Sequence, residues 1–315
     1  MSFWHVNIIM KTNEFNLIMP VSIKDVNTAL KNITYIKKYI NPKRIVVISN
    51  SSVLLSNKQV FTNENVEFLD ENRIIPGLTY NHVKELLSKY HAEERTGWYF
   101  QQFLKMAYSY ISPYEFYVSW DADTIPLKQV NFFDSYNKPV FSLKDEYNKA
   151  YFETIYSIFG IEKKIEKSFI CEHMIFNKEI MREIISKISE CNPLNYWFDN
   201  IIANISKDAL KASGFSEFET YGTYVLEYHR DFYSFKDIIT LRTGRRFFGD
   251  DVSQEVLSWL STFYDAVSFE KWDNRYIYIN VHNYSLFRKL VKPNNYVGLY
   301  NFIYLLKNLI RFQKH

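Results

Sequence analysis

The chain has 315 residues, enough for one large α/β domain or two smaller ones. Its 38 Lys and Arg against 35 Asp and Glu leave a net charge of +3, so it lacks the basic excess that nucleic-acid binding draws on. A hydrophobic fraction of 47% excludes general disorder, and the 18% aromatic fraction accompanies an abundance of Asn, Ile and Lys, the set favoured by AT-rich codons. Two cysteines, Cys171 and Cys191, can build neither a disulfide framework nor a four-thiolate zinc site, and the seven histidines form no His-x-x-x-His pair. No apolar run approaches the ~20 residues needed to span a bilayer. Residues 1–10 lack the basic start and apolar stretch of a signal peptide, so a cytoplasmic location is expected.

Residues 15–21 (FNLIMPV) read as a strand stopped by Pro20, and Val26, Leu30, Ile33 and Ile36 give the following segment a helical face. Ile45-Val46-Val47-Ile48 is a β-branched buried strand, residues 66–69 a short one, and Pro76-Gly77 a turn before a helix carrying Val83, Leu86 and Leu87. A helix over 98–111 leads to a strand over 116–120, which Thr124 and Pro126 should end. Further strands are expected at 140–143, 169–176 and 276–281, and helices at 181–188, 196–212 and 252–263. Alternating strands and helices imply a mainly parallel α/β sheet flanked by helices, which binds ligands beyond the carboxyl ends of its strands. With no repeat or Pro/Gly/Ser linker, residues 1–225 read as the core and 226–315 as a helical and loop extension continuous with it.

The sharpest local feature is Asp121-Ala122-Asp123 at the end of the strand over 116–120. Carboxylates at i and i+2 of an extended segment lie on one side and can offer hard oxygen ligands to Mg²⁺ or Mn²⁺. A calcium loop would need Asp or Asn and then Gly where Ile125 and Pro126 stand. A haloacid-dehalogenase-type phosphatase would use Asp121 as nucleophile, but on a first strand and with Thr or Val one position later. The metal motif of nucleotide-sugar glycosyltransferases suits both the strand and its late position.

The block from Gly97-Trp98-Tyr99 through Lys105, followed by Tyr117 to Pro126, resembles bacterial DXD glycosyltransferases of the GT-A fold. It is most similar to a group linked to lipopolysaccharide and capsule assembly. Ser168-Phe169-Ile170, His173 to Lys178, and Ser216 to Gly222 look like further blocks of that group. The resemblance implies a GT-A-like, Rossmann-like sheet and transfer of a hexose from a nucleotide diphosphate sugar, UDP-sugar above all, to a glycan or lipid-linked acceptor of the bacterial surface. It also implies Asp121 near the ribose or metal and Asp123 on the metal, where a divalent cation would neutralise charge on the leaving diphosphate.

By the same resemblance Pro20, Val21 and Asp25 lie where the nucleotide base is seated, although Asp25 is equally suited to cap the helix after it. Gln102 and Lys105 are polar positions that would face the donor or simply solvent. Glu217, Glu219, Glu172 and Asp199 are candidate bases for the acceptor hydroxyl, with Glu219 favoured in a Glu-x-Glu loop before Tyr221-Gly222. His282, by analogy, would be a third metal ligand or else a buried structural histidine. Arg242, Arg245 and Arg246 around Gly244 suggest a mobile basic loop able to close on a diphosphate, or surface solubility. Leu299, Phe302, Ile303, Leu306, Leu309 and Ile310 keep helical spacing, so residues 299–315 would dock on the domain or lie on an anionic membrane. A non-catalytic membrane-surface scaffold is the remaining alternative.

Overall fold

In the computed structural model of the chain, the described residues are 13–57, 59, 66–249, 252–270, 281–299 and 301. The run FNLIMP forms β1 (Phe15–Pro20), followed by α1 (Val26–Tyr39), β2 (Ile45–Ser49), α2 (Ser51–Ser56) and β3 (Val66–Asp70). Then come α3 (Tyr80–Ser88), α4 (Thr96–Ala107) and β4 (Phe116–Trp120). Every residue of β2 and β4 is buried, which is why strands of this parallel kind read as continuous apolar runs rather than alternating ones.

After β4 the chain passes through Asp121-Ala122-Asp123 into β5 (Thr124–Pro126), β6 (Val140–Phe141), α5 (Lys149–Phe159) and β7 (His173–Asn177). Next are α6 (Lys178–Glu190), α7 (Trp197–Ala203), α8 (Lys207–Lys211) and α9 (Glu217–Tyr228). The last elements are β8 (Ser234–Phe235), β9 (Thr240–Leu241), α10 (Gly244–Phe248), α11 (Gln254–Leu260), β10 (Ala266–Ser268) and α12 (Ser285–Leu290).

The central sheet has the order β3-β2-β1-β4-β7, parallel except for β7, which runs antiparallel to β4 with Trp120 opposite His173. The fold is thus the expected mixed α/β class, with a mainly parallel sheet flanked by helices. From β1 the chain builds outward through β2 and β3, then returns to place β4 on the other side of β1. That reversal opens a crevice between the carboxyl ends of β1 and β4, where sheets of this kind bind ligands. A second sheet, β5-β10-β9, starts directly from the acidic turn, so the turn joins the two sheets. The C-terminal apolar cluster of Phe248, Trp259, Leu260 and Tyr296 also takes in Leu127, Ile125 and Tyr35 from the first part of the chain.

Several expected boundaries differ. Thr124 and Pro126 do not merely end a strand; they form β5, because β10 supplies them an antiparallel partner. The strand expected over 169–176 begins only at His173, since β4 ends at Trp120 and Ser168 is paired with Lys144 instead. The helix expected over 196–212 is two, with Ser206 capping the second by accepting from the Ala209 N–H. The strand expected over 276–281 falls largely outside the described residues, as does nearly all of 299–315. Among the described residues no helix is long and apolar enough to cross a membrane.

Gly222 allows α9 to lie against the core. A Cβ there would sit 2.3 Å from the ring of Phe169, which is itself buried edge-on against Phe141. Gly222→Ala is therefore expected to destabilise the protein by about 1–3 kcal/mol through overpacking. Urea unfolding should show a lower midpoint at unchanged slope; a midpoint equal to that of the parent would show that the ring yields freely.

Candidate functional site

Beyond the carboxyl ends of β1, β2 and β3 lies a cleft of about 880 Å³, lined by Pro20, Val21, Asn50, Glu71, Tyr80 and Trp98 among others. The end of β1 is fixed there by the Val21 N–H donating to Ile48 at 2.8 Å and by Ser49 Oγ donating to the Val21 carbonyl at 2.6 Å. Gly97 keeps the α4 side open, since a Cβ would meet nothing within 4 Å. Glu71 faces this cleft with its pKa raised by burial, opposed by a hydrogen bond to Asn50 and reinforced by Asp70. The sequence reading passed over Glu71, yet the signal is the same as for Asp121: an acidic residue directly after a strand of the parallel sheet.

Asp25 stands at the N-cap position of α1 but makes no side-chain cap. Its carboxylate instead accepts from Ser22 Oγ at 2.5 Å, and its charge is felt by Asp123.

The acidic turn is held at nearly every backbone group. The Asp121 N–H donates to the Glu172 carbonyl at 2.9 Å, Asn32 Nδ2 donates to the Ala122 carbonyl at 2.7 Å, and the Phe269 N–H donates to the Asp123 carbonyl at 3.0 Å. Trp120 Nε1 donates to the Thr124 carbonyl at 2.8 Å, and Thr124 Oγ1 and Ser268 Oγ are 2.7 Å apart. The turn is therefore a rigid mount rather than a solvated loop. Burial and the neighbouring Asp121 push the Asp123 carboxyl up to about 7, with Asp25 and Glu172 adding to the effect and a backbone N–H opposing it. Glu172, 2% exposed, is raised mainly by burial and partly by Asp121, while Lys144 pulls it down. Asp121 and Asp123, with Asp25 and Glu172 near enough for their charges to act on Asp123, are hard oxygen donors of the kind that suits Mg²⁺ or Mn²⁺. Among the described residues no three or more His, Cys, Asp or Glu side chains form a ready-made metal cage.

Lys105 and Glu217 meet beside this turn. Lys105 Nζ is 2.9 Å from Glu217 Oε1 and 3.5 Å from Asp121 Oδ1. Burial works against its charge, but Glu217 and Asp121 more than offset that, so its pKa lies above the ordinary lysine value. Gln102 Oε1 accepts from the Glu217 N–H at 3.1 Å, and its amide donates to the Trp98 carbonyl, so neither Gln102 nor Lys105 belongs to a solvated helix face.

Glu217 and Glu219 lie in the first turn of α9, not in a loop, with Ser216 capping the helix by accepting from the Glu219 N–H at 3.2 Å. The Glu219 carboxylate is taken up by Ser168 Oγ and by the Phe169 N–H at 3.0 Å, and burial raises its pKa. It joins α9 to the segment before β7, whereas Glu217 reaches the acidic turn through Lys105. Asp199 is engaged 2.8 Å from His82 Nε2, between α7 and α3.

The basic segment is not a mobile loop. Gly244 opens α10 at a close approach, where a Cβ would lie 2.6 Å from the Ser268 carbonyl oxygen, and Arg245 and Arg246 belong to that helix. Arg242 pairs with Glu146, with Glu172 at 2.9 Å and with Glu270 at 3.7 Å, which makes it a counter-charge to carboxylates. His282 is buried in the C-terminal cluster, with Nδ1 2.9 Å from the Tyr296 hydroxyl and its ring edge-on to Phe248.

A model described as a family of unknown function, DUF6492, matches residues 12–278. No curated protein matches the sequence. Among solved structures the chain is similar to mouse xyloside xylosyltransferase 1 in its apo form, at 12% identity over 83% of this chain and 99% of that one, with a TM-score of 0.47. It is similar to galactosyltransferase LgtC in complex with donor and acceptor sugar analogs, at 9% identity over 90% of this chain and 99% of that one, with a TM-score of 0.43. A third is the glycosyltransferase GlyE of Streptococcus pneumoniae TIGR4, at 11% identity over 89% of this chain and 61% of that one, with a TM-score of 0.41. At such values the functional reading rests on this chain's own residues.

Proposed function

The chain belongs to the family of unknown function DUF6492, and we propose that it is a metal-dependent glycosyltransferase of GT-A type that transfers a sugar from a nucleotide diphosphate donor. The observation that carries this reading is the rigid acidic turn at the β1–β4 switch point, where Asp123 is destabilised as an anion by burial and by neighbouring carboxylates. Such a site gains most from a bound cation. A divalent ion held by one or two carboxylates completes its shell with water and phosphate oxygens, which is how protein and substrate share Mg²⁺. Asp121 and Asp123 would hold the ion, and it would supply Lewis-acid stabilisation of the leaving diphosphate.

The cleft beyond the ends of β1, β2 and β3 has the size and lining for a nucleoside, with Trp98 and Tyr80 offering aromatic surface and Glu71 and Asn50 polar contacts. Pro20 and Val21 line it on the β1 side, and Asp25, held by Ser22, follows them in the chain. Glu217 takes the role of base toward an acceptor hydroxyl in this reading, because it reaches the acidic turn through Lys105 whereas Glu219 is held by Ser168 and Phe169. A hexose from UDP-sugar, a glycan or lipid-linked acceptor, a role in bacterial surface polysaccharide, and peripheral membrane contact through residues 299–315 complete the proposal. They rest on the sequence resemblance.

A thermal-shift panel of UDP, GDP, CMP and dTDP, each with and without Mn²⁺, tests it. One nucleotide should raise the melting temperature by a few degrees in a Mn²⁺-dependent manner, because ligand at ~100 times its Kd stabilises a fold by roughly 2.7 kcal/mol. No shift with any nucleotide, combined with phosphate release from simple phosphomonoesters, would move the assignment to a phosphatase with Asp121 as nucleophile.

A further inference from the structure

Lys105 occupies a position few lysines take. It is 5% exposed on the buried side of α4, and lysine is almost never fully buried unless paired. Its ammonium is enclosed by named groups: Glu217 at 2.9 Å, Asp121 at 3.5 Å, and the ring of Phe218 with its centre 4.4 Å away. Its backbone is tied as well, because the Tyr117 hydroxyl donates to the Lys105 carbonyl at 2.9 Å. The start of α9 that carries Glu217 is tied to α4, since the Glu217 N–H donates to Gln102 Oε1 at 3.1 Å. The chain therefore fixes a positive charge beside the carboxylate that a divalent ion would also need.

We propose that Lys105 is an internal counter-cation of the Asp121-Ala122-Asp123 turn that weakens its affinity for a free divalent ion and makes ion binding depend on a nucleoside diphosphate. The proposal rests on the metal reading of that turn given above. An ammonium sharing Asp121 both occupies part of the carboxylate's charge and repels an arriving dication. A diphosphate reverses that balance, because its oxygens attract the ion and the ammonium together. The coupling is reciprocal: whatever factor the diphosphate adds to ion affinity, the ion adds to diphosphate affinity.

Mn²⁺ titration of the full chain, followed by the paramagnetic resonance of the free ion with and without UDP, tests this on the parent protein, Lys105→Met, Glu217→Gln and Asp123→Asn. In the parent, UDP should tighten Mn²⁺ binding about tenfold or more. Lys105→Met should bind Mn²⁺ alone about tenfold more tightly than the parent, with a smaller further gain from UDP than the parent shows. Glu217→Gln should move the opposite way, because the ammonium then has Asp121 as its one carboxylate partner of this pair, and Mn²⁺ alone binds more weakly.

A folded Lys105→Met protein that binds Mn²⁺ no more tightly than the parent, while UDP still strengthens binding in both, would overturn the counter-cation role and leave the metal reading standing. Should Lys105→Met fail to fold, Glu217→Gln decides: unchanged or tighter Mn²⁺ binding overturns the role. Absence of Mn²⁺ binding to the parent and Lys105→Met proteins, with and without UDP, overturns the metal reading itself.

Discussion

Asp123→Asn is expected to abolish Mn²⁺-dependent nucleotide binding while making the ligand-free protein more stable above neutral pH. The two effects have one cause. The Asp123 carboxyl is raised from 3.8 to about 7 by burial and by Asp121, so the fold holds a proton that the unfolded chain gives up. Below about pH 4 the group is protonated in both states and costs nothing. Between about 4 and 7 the unfolded chain alone ionises, so stability falls as pH rises; above 7 both states are charged and the cost is constant. At 1.36 kcal/mol per unit the ceiling is about 4 kcal/mol, and solvent near the turn reduces the realised part to about 1–2 kcal/mol. A cation takes the proton's place, so stabilisation by Mn²⁺ should grow from about pH 5.5 to about pH 8. Denaturant midpoints across that range, with and without Mn²⁺, should show both slopes in the parent; in Asp123→Asn the metal-free slope should be shallower, since Glu71, Glu172 and Glu219 still contribute to it, and the Mn²⁺ response should be lost. A parent whose Mn²⁺ response is flat with pH would remove Asp123 from the ion's ligands.

The parts of this arrangement that were legible in the sequence are those set by local pattern. Ile45-Val46-Val47-Ile48 and Phe116 to Trp120 read as buried strands because a parallel sheet covered on both faces has no polar side to alternate with. The acidic turn was placed correctly at the end of β4 for the same reason. What pattern did not convey was contact across the chain. Lys105 meets Glu217, and Asn32 meets Ala122, over separations that no periodicity encodes. The distinction between the two glutamates was nearer to hand. Ser216-Glu217-Phe218-Glu219 has the Ser-x-x-Glu spacing of a capping box, which announces a helix start rather than a loop. On a helix, residues two apart point about 200° away from each other, so Glu217 and Glu219 had to serve different surroundings.

That divergence makes the pair the sharpest test of the chemistry. With the nucleotide sugar selected by the thermal-shift panel, Glu217→Gln should lower kcat by about 10²–10⁴, the range that a positioned base contributes. The loss should persist at saturating Mn²⁺ and nucleotide sugar, a result that weakened ion or donor binding alone would not produce. Glu219→Ala should act on the fold instead. It leaves Ser168 Oγ and the Phe169 N–H buried without their carboxylate acceptor, at a cost of about 2–4 kcal/mol, while each folded molecule turns over at close to the parent rate. The opposite pattern, with full stability and lost turnover in Glu219→Ala and normal turnover in Glu217→Gln, would return the base to Glu219. It would also require Ser168 to release the carboxylate on substrate binding. Glu217→Asp separates the remaining possibilities, because it keeps a carboxylate but shortens its reach to Lys105. If the carboxylate is the base, turnover at saturating Mn²⁺ recovers in part relative to Glu217→Gln; if its sole task is to hold the ammonium, turnover at saturating Mn²⁺ stays near the parent in both variants and only Mn²⁺ affinity shifts.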